Sequence, residues 1–130
     1  MTPADEEIVA RIAAGDLAHA IDLARATIEQ EAADPDRSSA ERADHLRSLA
    51  ERFYEVGTKE SIAAARQFYE RALLLREAIA DQEPGPLADL LHDLSSLYFN
   101  DGAYDAALNA ERRALGIRSR IYVEGDPRIA

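Results

Sequence analysis

The sequence predicts an all-α protein of about six helices, arranged as three helix–turn–helix pairs. Two observations support this prediction. Apolar residues recur at helical spacing along the chain, and no stretch shows the alternation typical of a strand. The tripeptide at Arg71–Leu73 also recurs at Arg113–Leu115, 113 − 71 = 42 positions later. Repetition at such a period indicates a stacked array of similar helical units.

The first three helices are separated by clear breaks. Thr2-Pro3 suits a helix start, because a hydroxyl can cap the first turn and proline fits its first position. Gly15 is predicted to end this helix. Apolar spacing predicts a second helix from Leu17 to about Ala33, and the Asp34–Asp36 break separates it from a third at about Ser39–Val56.

The last three helices follow the same plan. A fourth helix is predicted to open at Thr58 or the next residue and to carry apolar residues as far as Ile79. The two prolines within Glu83–Pro86 stop it, since proline removes a backbone donor. A fifth helix is expected over Pro86–Asn100 and a sixth over about Ala103–Val123.

The turn glycines place the helices in register as repeats of one unit. Aligning Gly15, Gly57 and Gly102, with a turn that is three residues longer (Thr58–Glu60) after Gly57, brings three alanines into the same position, Ala20, Ala65 and Ala107. The alignment predicts a single domain over residues 1–130, with units at about 3–33, 39–82 and 86–123. Residues 125–130 match the opening of a unit and are predicted to begin a truncated fourth one.

This pattern resembles the tetratricopeptide repeat family. The second unit supplies the matching residues Leu46, Leu49, Ala50, Phe53, Gly57, Ala65, Tyr69 and Ala72. The third unit supplies Leu91, Leu94, Ser95, Tyr98, Gly102, Ala107 and Ala114. The 42-residue period is similar to the longer, kinesin light chain-type repeat. The resemblance implies a right-handed superhelical stack whose first helices line a concave groove for an extended peptide or a helix.

The groove positions of that family can be carried over onto this sequence. They are Ile12, Asp44, Arg47, Glu51, Tyr54, Glu55, Asp89, His92, Asp93, Ser96, Phe99 and Asn100. Ile12, Tyr54 and Phe99 fall in equivalent places and predict an apolar ladder flanked by carboxylates. Such a surface suits a protein partner that presents apolar anchors with Arg or Lys between them. The alternative is that Tyr54 and Phe99 only pack one repeat against the next.

The sixth helix carries more apolar residues than one buried face requires. They are Leu108, Leu115, Ile117, Ile121 and Tyr122. Apolar surface of this kind favours a cover, and self-association is one way to provide it. Two alternatives to a peptide-binding module therefore remain. One is a self-assembling homo-oligomeric scaffold, and the other is the docking or sensor region of a larger bacterial signalling protein.

Composition disfavours several other classes of protein. A formal charge of −10 repels the phosphate backbone, so we expect no nucleic-acid partner. The acidic N-terminus is unlike a secretory signal, and no apolar run reaches membrane-spanning length. We therefore expect no membrane partner and a cytoplasmic location.

The sequence contains no arrangement that indicates catalysis. Cysteine is absent, which excludes thiolate metal sites and a cysteine nucleophile. The histidines, His19, His45 and His92, stand at non-equivalent repeat positions without metal-binding spacing. The glycines are scattered singly rather than grouped in a phosphate-binding loop. We predict no catalytic residue, no metal, no cofactor and no enzymatic activity.

Overall fold

The computed structural model describes residues 2–125, which form six α-helices and no β-strand. The all-α prediction is confirmed for this part of the chain. The helices are α1 (Pro3–Ala13), α2 (Leu17–Ala32), α3 (Ser39–Val56), α4 (Lys59–Ala78), α5 (Pro84–Asn100) and α6 (Tyr104–Gly125). Gly125, which was predicted to open a fourth unit, is instead the last residue of α6; the rest of that predicted opening, residues 126–130, lies outside the described residues.

Hydroxyl side chains fix the starts of three helices. Thr2, Ser38 and Thr58 each accept a hydrogen bond from the backbone N–H three residues on, at 3.1–3.2 Å. In each case the side chain of that later residue accepts from the cap's own N–H, which completes a capping box. The starts of α1, α3 and α4 are therefore set by local chemistry alone.

A glycine in the left-handed conformation turns the chain between the two helices of each pair. Gly15, Gly57 and Gly102 have φ of 78°, 80° and 82°. Only glycine adopts such angles without a steric cost from Cβ. The three positions that aligned the repeats in the sequence therefore share one backbone conformation.

The connection between α4 and α5 differs from the prediction. Ile79, expected inside the fourth helix, is instead its C-terminal cap, and α5 begins at Pro84 rather than Pro86. The N–H groups of a first helical turn have no partner within the helix, so prolines there remove no hydrogen bond. Both prolines consequently fit inside the first turn of α5.

Consecutive helices form three closely packed pairs, α1–α2, α3–α4 and α5–α6, joined by contacts of α2 with α3 and of α4 with α5. The main core is rich in alanine, and within it the rings of Phe53 and Phe68 contact each other, with centroids 5.6 Å apart. A smaller cluster between α5 and α6 contains Leu87, Leu91, Ala110 and Ala114. Small residues allow the helix backbones to approach closely.

The second helices of neighbouring pairs are linked by the repeated arginine. Arg71 of α4 donates to Glu29 of α2 at 2.6 Å, and Arg113 of α6 donates to Glu77 of α4 at 3.0 Å. These are the arginines of the two tripeptides that revealed the repeat. The repeated residue therefore serves the contact between pairs.

Candidate protein-binding surface

Several predicted groove residues meet where α3 lies beside α5. Arg47 Nε donates to Asp93 Oδ2 at 2.6 Å and lies 3.8 Å from Glu51 Oε1. Asn100 donates from its side-chain amide to the Tyr54 hydroxyl. These residues, Arg47, Glu51, Tyr54, Asp93 and Asn100, are called the α3–α5 seam below. The structure thus brings together side chains that are 46 positions apart in the sequence.

Charge at the seam is only partly balanced. Burial acts to lower the pKa of Arg47, but its hydrogen bond to Asp93 and the nearby carboxylate charges outweigh this effect and raise it. Arg47 is therefore a permanent cation that neutralises Asp93. Glu51 keeps half of its side chain exposed, and Glu55 is exposed on the next turn of α3. The surface therefore carries a net negative charge.

Tyr69 of α4 is the buried neighbour of the seam. Burial raises the pKa of its hydroxyl, and the charges of Asp93 and Glu51 raise it further. The phenol consequently stays neutral under all ordinary conditions. Half-buried Tyr54 packs against the same core, so an aromatic surface lies directly beside the exposed carboxylates.

Other predicted groove residues contact the second helix of their own pair instead. Asp44 accepts from Arg76 of α4 at 2.6 Å, and Asp89 accepts from Arg118 of α6 at 3.1 Å. His92 Nδ1 lies 3.0 Å from Glu111 of α6. These contacts turn three predicted ligand-binding side chains toward α4 and α6.

The predicted apolar ladder is uneven. Ile12 is partly buried against the main core, and Tyr54 is held at the seam. Phe99 is exposed and meets Tyr104 of α6 edge to face, with centroids 5.3 Å apart. Ser96, beside it on α5, donates back to the His92 carbonyl oxygen at 3.3 Å. Phe99 therefore belongs to the α5–α6 surface and not to the seam.

The residues predicted for self-association divide between two sides of α6. Leu108, Leu115 and Tyr122 are exposed. Ile117 packs against the Leu87–Leu91 cluster, and Ile121 lines a cavity of about 360 Å³ next to it. Tyr104, which was not among the residues predicted to bind, is also exposed and lies one turn before Leu108.

His45 forms a polar link among three helices that the sequence did not reveal. Its Nε2 lies 2.6 Å from Asp5 of α1, and its Nδ1 contacts Glu31 of α2. Burial raises the pKa of Asp5, but hydrogen bonds from His45 and Thr2 outweigh it and lower the pKa overall. Both ring nitrogens are occupied, so His45 holds α1 and α2 to α3 and offers no free nitrogen to a ligand.

Two kinds of site are absent from residues 2–125. No three His, Cys, Asp or Glu side chains in this range are grouped so that they could hold a metal ion. None of its helices combines the length and the apolar character needed to cross a bilayer.

Comparisons of the chain with protein-family models, with curated proteins and with solved structures give no match. The likeness to tetratricopeptide repeats therefore depends on the residues of this chain alone.

Proposed function

We propose that this chain is a tetratricopeptide-like protein-binding module, in which the three pairs form a right-handed superhelical stack. The proposed binding surface is the α3–α5 seam. Its ligand is a peptide or helix with apolar anchors and Arg or Lys beside them. The proposal assigns the chain no reaction, cofactor, metal or nucleic-acid partner, and places it in the cytoplasm.

The observation that carries this proposal is the pairing of aromatic surface with surplus carboxylate at the seam. Tyr54 is held by Asn100, while Glu51 and Glu55 remain exposed beside it. An exposed carboxylate loses little hydration until a ligand cation reaches it, so it can bind Arg or Lys at small cost. A rigid aromatic next to it supplies apolar contact area with little loss of conformational freedom.

The proposal can be tested with a displayed library of random peptides selected on the purified chain. We expect enriched sequences to combine Arg or Lys with large apolar residues. Binding should weaken as salt rises, because the Debye length falls from about 10 Å at 0.1 M to about 3 Å at 1 M. Enrichment of acidic peptides would contradict the proposal.

A matched pair of variants locates the surface. Replacing Glu51 and Glu55 by Gln should weaken the selected peptide about tenfold, since two exposed ion pairs contribute about 0.7 kcal/mol each. The control replaces the exposed Glu6 and Glu60 by Gln, which changes the net charge equally but away from the seam. Equal loss in both variants would show that only overall charge attracts the peptide.

A further inference from the structure

Tyr69 has a buried ring and an unused hydroxyl. The residue is only 4 % exposed, and its ring packs in the main core. Within residues 2–125 the hydroxyls of Tyr54 and Tyr98 take part in hydrogen bonds, whereas that of Tyr69 has no partner. Its oxygen is not sealed from water, since the one buried side-chain polar atom without a partner in this range is Arg37 Nε. The buried ring therefore presents an accessible, unpaired hydroxyl.

This hydroxyl lies at the floor of the α3–α5 seam. Burial has the largest effect in raising its pKa, and the side chains that affect the pKa further all belong to the seam: Asp93, Glu51, Arg47 and Tyr54. Such electrostatic effects weaken with distance, so the hydroxyl is close to these groups. None of them is near enough to form a hydrogen bond with it.

The next pair shows why the side chain points to the seam. Tyr69 corresponds to Glu111, at 111 − 69 = 42 positions, and Arg47 corresponds to His92, at 92 − 47 = 45 positions across the longer turn. Glu111 lies 3.0 Å from His92 Nδ1. A side chain at this position of the second helix therefore reaches toward the first helix of its pair. In α3–α4, Arg47 donates to Asp93 instead, which leaves Tyr69 without its counterpart's contact.

The surroundings of the hydroxyl select a neutral acceptor. A protonated phenol has one hydrogen to donate. A ligand carboxylate or phosphate would meet the charges of Glu51 and Asp93, which repel it. A main-chain carbonyl is an acceptor without net charge. A ligand that excluded water from Tyr69 without supplying an acceptor would leave a buried donor unpaired, at a cost in binding free energy.

A second unused donor lies in the seam. The Tyr54 oxygen accepts from Asn100, which leaves the Tyr54 hydroxyl hydrogen free to donate. The side of a helix cannot pair with such donors, because its carbonyl groups are bonded internally except in the last turn. An extended chain keeps its carbonyl and N–H groups available. The exposed carboxylate of Glu51 can accept from one of those N–H groups.

We propose that the Tyr69 hydroxyl donates to a main-chain carbonyl oxygen of the ligand, and that the ligand is an extended peptide and not a helix. This contact rests on the proposed function, since it adds a hydrogen bond inside the α3–α5 seam. It gives a residue of α4 a part in choosing the ligand, whereas the seam itself consists of residues of α3 and α5.

Two phenylalanine variants test the contact with the peptide selected from the library. Tyr69→Phe keeps the buried ring and removes the hydroxyl alone. We expect it to weaken peptide binding about fivefold, the effect of losing one neutral hydrogen bond, and to leave the urea midpoint unchanged. Tyr98→Phe is the matched control, because its hydroxyl donates to Glu70 at 2.8 Å. It should lower the stability and leave the peptide affinity unchanged.

Peptides with one main-chain amide replaced by an ester identify the carbonyl. An ester carbonyl is a weaker acceptor than an amide carbonyl. We expect one position of the series to weaken binding to the native chain about threefold more than it weakens binding to Tyr69→Phe. The ester also removes one N–H, but that loss affects both chains equally and cancels in the comparison.

A stapled form of the same peptide tests its conformation. A covalent link between side chains four residues apart holds the peptide as a helix. We expect no detectable binding of this form at concentrations that saturate the chain with the linear peptide. Fluorescence anisotropy of labelled peptides measures all of these affinities.

The outcomes separate this contact from the proposed function. If no library peptide binds, both are wrong. If binding depends on Glu51 and Glu55 but Tyr69→Phe binds as tightly as the native chain, the hydroxyl contact is wrong and the seam remains the binding surface. A loss of stability in Tyr69→Phe as large as that in Tyr98→Phe would show that the hydroxyl bonds within the chain. Tight binding of the stapled peptide would make the ligand a helix and overturn the proposal.

Discussion

The α3–α4 pair and the α5–α6 pair are built alike and differ in what covers them. Both turn at a glycine with φ near 80°, and both join their helices by an Asp–Arg pair at equivalent positions. Since α5 covers α4, Arg76 and Tyr69 are buried; their counterparts on α6, Arg118 and Glu111, remain partly exposed. The repeat therefore sets which residues meet, and the neighbouring pair decides how much each contact stabilises the fold.

The largest expected difference between the pairs concerns Tyr69 and its counterpart Glu111. Tyr69→Ala should lower the free energy of unfolding by about 3 kcal/mol, because it leaves a cavity in the core. Glu111→Ala should lower it by about 0.5 kcal/mol or less, since its ion pair with His92 is exposed to water. Urea denaturation of both variants measures the difference. Similar losses would show that α6 is covered as well as α4 is.

A smaller difference is expected for the repeated arginine. Arg76→Ala should cost about 2 kcal/mol, because it removes a buried side chain that binds both Asp44 and Glu83. Arg118→Ala should cost about 0.5 kcal/mol, since its pair with Asp89 is solvated. Thermal unfolding at low protein concentration, where any dimer dissociates, gives the comparison. If Arg118→Ala lowers the stability more than Arg76→Ala does, then the inference that α5 buries Arg76 by covering α4 is wrong.

The smallest effect concerns one aromatic position in the two pairs, Phe53 in α3 and Tyr98 in α5. Burial and a hydrogen bond to Glu70 raise the pKa of Tyr98 to about 12 from 10.0. The hydroxyl therefore favours folding fully below pH 10, and this contribution is lost as pH rises toward 12. Tyr98→Phe, which copies the Phe53 side chain, should make stability fall less steeply over this range. Denaturation at several alkaline pH values measures the slope, and an unchanged slope would contradict the contact with Glu70.

Much of the fold could be predicted because its signals are local. The turn glycines and the hydroxyl caps at Thr2 and Thr58 depend on residues only a few positions apart, and the helix boundaries near them agree with the structure to within a few residues. The end of α4 was harder to predict. Proline predicts a helix end, but it is equally compatible with a helix start, and Pro84 and Pro86 lie in the first turn of α5.

The binding surface was less predictable because its contacts join distant positions. Repeat alignment placed His92 and Phe99 in the predicted groove, but their partners Glu111 and Tyr104 on α6 turn them toward another face. The link of His45 to Asp5 spans 40 positions and has no repeat counterpart to reveal it. Periodicity gives the side of a helix that is apolar, whereas ion-pair partners depend on how the helices are placed in space.

The abundance of alanine in the core has an entropic consequence. A buried alanine such as Ala50 or Ala72 has no side-chain rotamers to lose, so ordering this core costs less than ordering one of leucine or methionine. Each alanine also buries little apolar area, so the stabilisation from apolar burial is distributed over the whole length of every helix contact. A single added methylene at Ala50 would separate two backbones and weaken many contacts at once. Folding therefore costs this core little side-chain entropy, and the core is sensitive to any larger side chain at its centre.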